Sequence, residues 1–271
     1  MDKRKKLATL SVMYQGDWDK IAKALQDDVQ VIDIPIKDSY ITIYDSEYPD
    51  SLRKLRFPPW VLFYCGDISL LRKPMLTIIG SRQMNSYAMW LVEESVGQLK
   101  ERFVLVSGLA KGVDGYVHTI AIQGGHTIAV IGSGLDIHYP YENEHLYEQL
   151  QKTDLILSEY PSGTGVRKHH FPWRNRILAA LGESVIVIAA KIRSGTMCTV
   201  NEAIALDKDI YVFPHLYRSE QGMGCNKLIA DGAQILYDTI QIKEMIPKKM
   251  IEKLEFFGYS WKRILHEEEP K

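Results

Sequence analysis

Short, continuous runs of Val, Ile and Leu recur between residues 76 and 213, and they constrain the fold more than any other feature of the chain. The runs are LTIIG (76–80), FVLVS (103–107), TIAVI (127–131), DLILSE (154–159), SVIVIAA (184–190) and DIYVF (209–213). Continuous apolar runs are typical of strands buried on both faces, and the segments between them have helical periodicity. Strands that alternate with helices favour a parallel, doubly wound sheet, so we predict an α/β fold.

The flanks of this unit are less regular. Residues 7–28 are predicted to be helical, and residues 40–67 form an extended, proline-punctuated lead-in that either adds edge strands or packs over the sheet. QILYD (234–238) predicts a weak strand at an edge. We divide the chain into a short N-terminal helical segment (1–38), a sheet domain (39–240) and a charged C-terminal tail (241–271).

Composition excludes several classes of protein. The net charge is −1, so there is no global basic field and any anion site must arise from local clustering. Three widely spaced cysteines argue against a disulfide framework and favour a reducing, cytoplasmic compartment. No run approaches the roughly 20 apolar residues of a membrane span, and the histidine spacing does not predict a metal site.

Small residues and cations follow the predicted strands at their carboxyl ends, where doubly wound sheets bind ligands. Glycine lets a backbone approach an anion closely, and the N–H groups at a following helix start attract negative charge. The sequence therefore predicts a phosphate-binding pocket. Its candidate residues from four of these strand ends are Gly80, Ser81, Arg82, Ser107, Gly108, Lys111, Gly112, Gly132, Gly134, Lys191, Arg193, Ser194, Gly195 and Thr196.

The segment HHFPWRNR (169–176) supplies the remaining candidates. Pro172 predicts a helix start, which places Arg174, Asn175 and Arg176 in the first turn. Arginines there oppose the helix dipole unless an anion binds at the same terminus. We expect the Arg174→Ala and Arg176→Ala variants to bind an anionic ligand more weakly with little change in thermal stability. Phe171 is a further candidate, and Trp173 supplies a second aromatic ring in the same segment.

Familiar phosphate-binding motifs are missing. The sequence has no GxxxxGK[ST], and the first turn lacks GxGxxG. Asp114 either belongs to the site or accepts hydrogen bonds from the first N–H groups of its own helix. Glu159 is the best single catalytic candidate, although orienting a neighbouring arginine is its simpler role. His118 is expected to pack within its helix, and the alternative is that it acts as a base.

These motifs, taken in order, resemble the DprA/Smf family (DNA-processing protein A) from about Tyr40 to Asp238. The blocks that carry the resemblance include IIGSRQ, VSGLAKGVDG, HFPWRNRILAAL, SGTMCTVNEA and GCNKLIADGA. The resemblance implies an extended Rossmann-like fold, a basic pocket for single-stranded DNA, dimers, and loading of RecA during transformation. It also implies that the DNA-binding cations are Arg82, Lys111, Arg174, Arg176 and Arg193. For a DNA ligand, either Phe171 or Trp173 is expected to stack on a base.

The function implied is that of a non-catalytic, cytoplasmic single-stranded DNA-binding protein without a cofactor or membrane attachment. It would protect incoming DNA and promote RecA loading in natural transformation and recombination, as a homodimer. The alternative is a nucleotide-processing enzyme of the phosphoribohydrolase type. RSGTMCTVNEA loosely matches a loop of such enzymes, but the spacing from Thr196 to Glu202 is wrong, so Glu159 would have to serve instead.

Overall fold

The computed structural model describes residues 2–245, 247 and 250, and a nine-stranded sheet forms the centre of this part of the chain. Its spatial order is β1-β2-β6-β5-β4-β3-β7-β8-β9. The strands are β1 (Ser39–Thr42), β2 (Val61–Gly66), β3 (Met75–Ile79), β4 (Val104–Ser107), β5 (His126–Ile131), β6 (Leu155–Ser158), β7 (Ser184–Val187), β8 (Asp209–Val212) and β9 (Gln234–Ile235).

The sheet is mostly parallel, as predicted. Strands β3 to β9 pair in parallel, whereas β2 pairs antiparallel with β6 and β1 antiparallel with β2. All six strands predicted between residues 76 and 213 are present, and β9 is a short strand at the edge. The lead-in therefore adds edge strands, the first of its two predicted arrangements.

Helices cover the strands. They are α1 (Lys3–Met13), α2 (Trp18–Gln26), α3 (Asp50–Arg53), α4 (Ser86–Leu99), α5 (Val113–Ala121), α6 (Glu144–Thr153), α7 (His170–Leu181), α8 (Gly195–Ala205), α9 (Met223–Ala230) and α10 (Thr239–Lys243). The predicted N-terminal helical segment thus consists of two helices. The Asp17 side chain caps the N-terminus of the second by accepting a hydrogen bond from the N–H of Lys20 (3.1 Å). Within residues 2–245, 247 and 250, no helix combines the length and apolarity of a membrane span.

Strand side chains alternate between two apolar layers. On β3, Leu76 and Ile78 pack against α4 and α5, whereas Ile79 faces the layer that contains α7. The N-terminal helices share a third cluster with the sheet, in which Leu7 and Ile21 are fully or almost fully buried. Most of the predicted tail (241–271) lies outside the described residues, and the three-part division of the chain stays a prediction.

The chain changes direction across the sheet at β3. Strands β4, β5 and β6 follow on one side of β3, and β7 pairs with it on the other. The turns after β3 and β7 consequently diverge and leave a crevice at the carboxyl edge, which is where doubly wound sheets bind ligands. A hydrogen bond from the Thr196 hydroxyl to the carbonyl of Gly80 (3.0 Å) joins the two turns.

Candidate functional site

A cavity of about 760 Å³ occupies this crevice, and we call it the large cavity. It lies between the turns after β3 and β7, with the start of α7 as a third wall. More than half of the predicted binding residues line it, namely Gly80, Ser81, Arg82, Phe171, Arg174, Asn175, Lys191, Ser194, Gly195 and Thr196. The structure therefore brings together residues that are far apart in the sequence.

A small cavity of about 80 Å³ adjoins the large cavity and shares Arg82, Tyr139 and Phe171 with it. Its lining adds Gly108, Lys111 and Gly132, which come from the turns after β4 and β5. Four of the predicted strand ends thus meet at one edge of the sheet.

Five predicted residues line neither of these cavities. Ser107 is buried and donates to the carbonyl of Ile78 (2.7 Å), while the N–H of Gly134 donates to the carbonyl of Thr164 (2.8 Å). Gly112 packs against the backbone of the turn after β3. Arg193 is exposed on the turn after β7, and Arg176 is buried on the opposite side of α7.

The cations at the mouth of the large cavity are accessible. Arg82 is exposed, and its guanidinium lies over the Phe171 ring, 5.5 Å from the centroid. Lys191 pairs with Glu220 (2.5 Å) and Lys111 with Glu142, and such solvated pairs contribute about 0–1 kcal/mol. An arriving phosphate can displace these carboxylates at small cost.

Lys168 and Tyr139 also line the large cavity and are not among the predicted binding residues. Lys168 is exposed and stands one position before the HHFPWRNR segment. Tyr139 lies five residues after Gly134. Their nearness in sequence to predicted site residues is the only local signal, because neither lies next to a glycine.

Helix α7 begins at His170, two residues before the predicted start. Pro172 is tolerated inside the first turn because the first N–H groups of a helix have no intrahelical partner. Arg174 consequently lies in the second turn and is only 4% exposed. Its Nη1 donates to the carbonyls of Gly108 (2.8 Å) and Val130. The prediction of an arginine in the first turn is therefore wrong, and Arg174 forms part of the cavity floor.

Asp114 is the one acidic side chain among the described residues that line the large cavity. It is buried, and the desolvation raises its pKa above the ordinary range, against the opposing effects of Arg174 and of the N–H groups of Gly80 and Gly108. Its carboxylate is thus directed at the turns after β3 and β4. The alternative in which it bonds the early N–H groups of its own helix is wrong.

Arg176 is directed away from the large cavity. Its Nη2 donates to Oε1 of Glu159 (2.7 Å), and its Nε donates to the carbonyl of Phe57 (2.9 Å). The two charged side chains are only 4% and 5% exposed. This confirms the orienting role of Glu159, which does not line the large cavity. Burial of Arg174 and Arg176 also contradicts the premise that their replacement leaves stability unchanged.

His118, on α5, is fully buried. The Thr127 hydroxyl donates its only proton to the carbonyl of Leu105. Its oxygen therefore accepts the hydrogen bond with His118, and Nδ1 of His118 is the donor (2.8 Å). Burial lowers the pKa of His118 to about 3. Because unfolded His118 takes up a proton near its ordinary pKa of about 6.5, the stabilising effect of this residue is present above that pH and is lost as the pH falls towards 3.

We therefore compare the free energy of unfolding of the wild type with that of His118→Leu. Lowering the pH from about 7 to about 5 should reduce the value of the wild type by about 2 kcal/mol relative to the variant. Urea unfolding of both proteins at each pH measures this difference. The other titrating groups are common to both chains and cancel. A difference that stays constant with pH would show that His118 is not held neutral in the folded protein.

The sequence model of the family described as DNA recombination-mediator protein A matches residues 39–247. DNA processing protein DprA of Streptococcus pneumoniae is 41% identical over 196 residues, which are 72% of this chain and 70% of that protein. DprA of Bacillus subtilis is 36% identical over 220 residues, which are 80% of this chain and 74% of that protein.

Two solved structures are similar over most of the chain. The X-ray structure of DNA processing protein A from S. pneumoniae has a TM-score of 0.77 and 32% identity, and the match covers 88% of this chain and 94% of that one. The structure of DNA processing protein A from Helicobacter pylori, which addresses its single-stranded DNA binding mode, has a TM-score of 0.68 and 30% identity. That match covers 83% of this chain and 99% of the other.

Proposed function

Because the chain belongs to the DNA recombination-mediator protein A family, we propose that it binds single-stranded DNA in the large cavity and delivers that DNA to the RecA recombinase. The observation that carries this proposal is the meeting of glycine turns and accessible cations at the carboxyl edge of the sheet. Arg82, Lys168 and Lys191 line the large cavity from three different segments. They provide positive charge along a path instead of at a single point, which suits a chain of phosphates.

Backbone groups support the same ligand. Helix α8 begins at Gly195 on the wall of the large cavity, and its N-cap residue Ser194 makes no side-chain capping bond. The first N–H groups of a helix attract anions. The Phe171 ring also lines the large cavity, beside the exposed ring of Tyr139, at 5.7 Å between centroids. These rings offer a base a surface on which to stack.

The buried pair of Arg174 and Asp114 has a supporting role in this proposal. Arg174 donates to the carbonyls of Gly108 and Val130, and Asp114 faces the N–H groups of Gly80 and Gly108. Together they hold the turns that the exposed cations occupy. Arg174 therefore acts on DNA binding by positioning the site.

RecA loading, protection of incoming DNA, assembly as a homodimer and a cytoplasmic location are proposed on family membership. Exposed apolar side chains at Ile204, Ile235 and Tyr237 support an interface between copies of the chain. A non-catalytic role is supported by Glu159, because the carboxylate on which the enzymatic alternative depends is held by Arg176 outside the large cavity.

Fluorescence anisotropy of a labelled oligothymidylate tests the DNA-binding proposal. We expect the affinity of the wild type to fall steeply between about 50 and 200 mM salt, because each neutralised phosphate releases a counterion. Arg82→Ala should weaken binding about tenfold and reduce the salt slope by about 0.7.

Arg72→Ala is the matched control, because Arg72 is an exposed arginine just before β3, at the opposite edge of the sheet, and pairs only loosely with Glu47 (3.3 Å). It should change neither the affinity nor the slope. A wild-type affinity that is independent of salt would contradict the proposed function.

A further inference from the structure

A second cavity, of about 380 Å³, lies between the turn that joins α1 to α2 and the segment 167–173. We call it the aromatic cavity because six rings line it, those of Tyr14, Trp18, Tyr160, His169, His170 and Trp173. We propose that the aromatic cavity binds a nucleobase of the same DNA strand whose phosphates occupy the large cavity. This inference rests on the proposed function and adds a separate subsite to it.

One short segment separates the two cavities. Lys168 and Phe171 line the large cavity, whereas Arg167, His169 and Trp173 line the aromatic cavity. Consecutive Cα atoms are only about 3.8 Å apart, so the two linings are different sides of one thin wall. A strand bound in the large cavity beside Lys168 would therefore have only this segment to cross to reach the aromatic cavity.

The rings of the aromatic cavity are held in place before any ligand arrives. Tyr160 and His170 are stacked at 3.8 Å between centroids, and His170 donates from Nδ1 to the carbonyl of Gly132 (3.0 Å). Trp18 stacks on Trp60 at 5.2 Å, and its indole N–H donates to the carbonyl of Pro58 (2.8 Å). Rings fixed in this way lose little freedom when a flat ligand stacks on them.

The charged groups that line the aromatic cavity balance, because Asp17 and Asp19 stand beside Lys20 and Arg167. Lys20 pairs with Asp17 (3.1 Å), and Arg167 donates to Oε1 of Gln15 (2.8 Å), so both cations already have partners. The carboxylates accept hydrogen bonds, and the edges of nucleobases carry N–H donors. The large cavity differs, since its accessible charges are cations. The two cavities thus match the two chemical parts of a nucleotide chain.

Binding of two strands of equal length separates this inference from a structural role. One strand is an oligothymidylate, and the other is an abasic strand with the same number of phosphates. We expect His169→Ala to lower the affinity for the oligothymidylate about fivefold or more and to leave the affinity for the abasic strand unchanged. His169 is exposed. An equal effect on both strands, or no effect on either, would overturn the inference.

His126→Ala is the control, because His126 is an exposed histidine at the start of β5, at the amino edge of the sheet. This variant should bind both the oligothymidylate and the abasic strand with the affinity of the wild type.

Photocrosslinking of the wild type provides a test that needs no variant. The complex of the protein with a DNA strand that carries 5-iodouracil is irradiated, and the modified peptides are mapped by mass spectrometry. We expect adducts at Trp18 or Trp173, which are partly exposed in the aromatic cavity, in addition to those at Phe171. Adducts confined to the large cavity would overturn the inference and leave the proposed function in place. Absence of adducts at both cavities, with no salt-dependent binding, would contradict the proposed function itself.

Discussion

Arg176→Ala is expected to lower the free energy of unfolding by about 3–5 kcal/mol, because it leaves the carboxylate of Glu159 buried without its partner. The pair is almost fully buried, with Nη2 and Oε1 2.7 Å apart. Arg176 also donates to the carbonyls of Phe57 and Trp173, so its removal leaves further acceptors unsatisfied. Guanidinium unfolding monitored by tryptophan fluorescence measures the loss.

Two further variants test the cause of this loss. Arg72→Ala breaks an exposed pair with Glu47 and should cost less than about 1 kcal/mol. The double variant Arg176→Met with Glu159→Leu removes both charges and should recover a large part of the stability. A loss of less than about 1 kcal/mol in Arg176→Ala, similar to that of the exposed control, would show that the buried charge is not responsible.

Gly112→Ala is expected to lower the free energy of unfolding by more than about 2 kcal/mol and to weaken DNA binding about tenfold. Gly112 has a φ of 75°, and a Cβ there would lie 2.4 Å from the carbonyl oxygen of Ser81 and 2.7 Å from the carbonyl carbon of Arg82. Because these are backbone atoms, the turn that presents Arg82 has to shift. Urea unfolding and anisotropy titration measure the two effects.

Gly124→Ala separates the clash from the backbone strain. Gly124 also has a positive φ, of 93°, but a Cβ there meets no atom within 4 Å. Its replacement should cost about 1 kcal/mol and leave DNA binding unchanged. Equal stability losses in the two variants would indicate that contact with the turn after β3 is unimportant.

The strands of the sheet are predictable from sequence because burial on both faces demands continuous Val, Ile and Leu. Strand β3, for example, places Leu76 and Ile78 in one apolar layer and Ile79 in the other. The start of α7 is less predictable. Proline is compatible with several positions of a first helical turn, so Pro172 alone does not fix where the helix begins.

The location of the site follows from the strand ends, whereas the roles of its arginines do not. A glycine turn after each parallel strand has to lie at the carboxyl edge, so Gly80 and Gly195 are predictable neighbours. Arg174 and Arg176 look like surface cations in the local pattern. Their burial depends on carbonyls and a carboxylate elsewhere in the chain, at Gly108, Val130 and Glu159. Local periodicity holds no information about such partners.

The hydrogen bond between Thr196 and the carbonyl of Gly80 connects residues that are 116 positions apart. Both walls of the large cavity therefore exist only after this long loop of chain has closed, which makes the site a late and non-local product of folding. During synthesis, the turn after β3 can form its hydrogen bond with Thr196 only after α8 has been made. A truncated chain that ends before α8 would keep five of the parallel strands and still lack the start of α8 in the opposite wall of the large cavity.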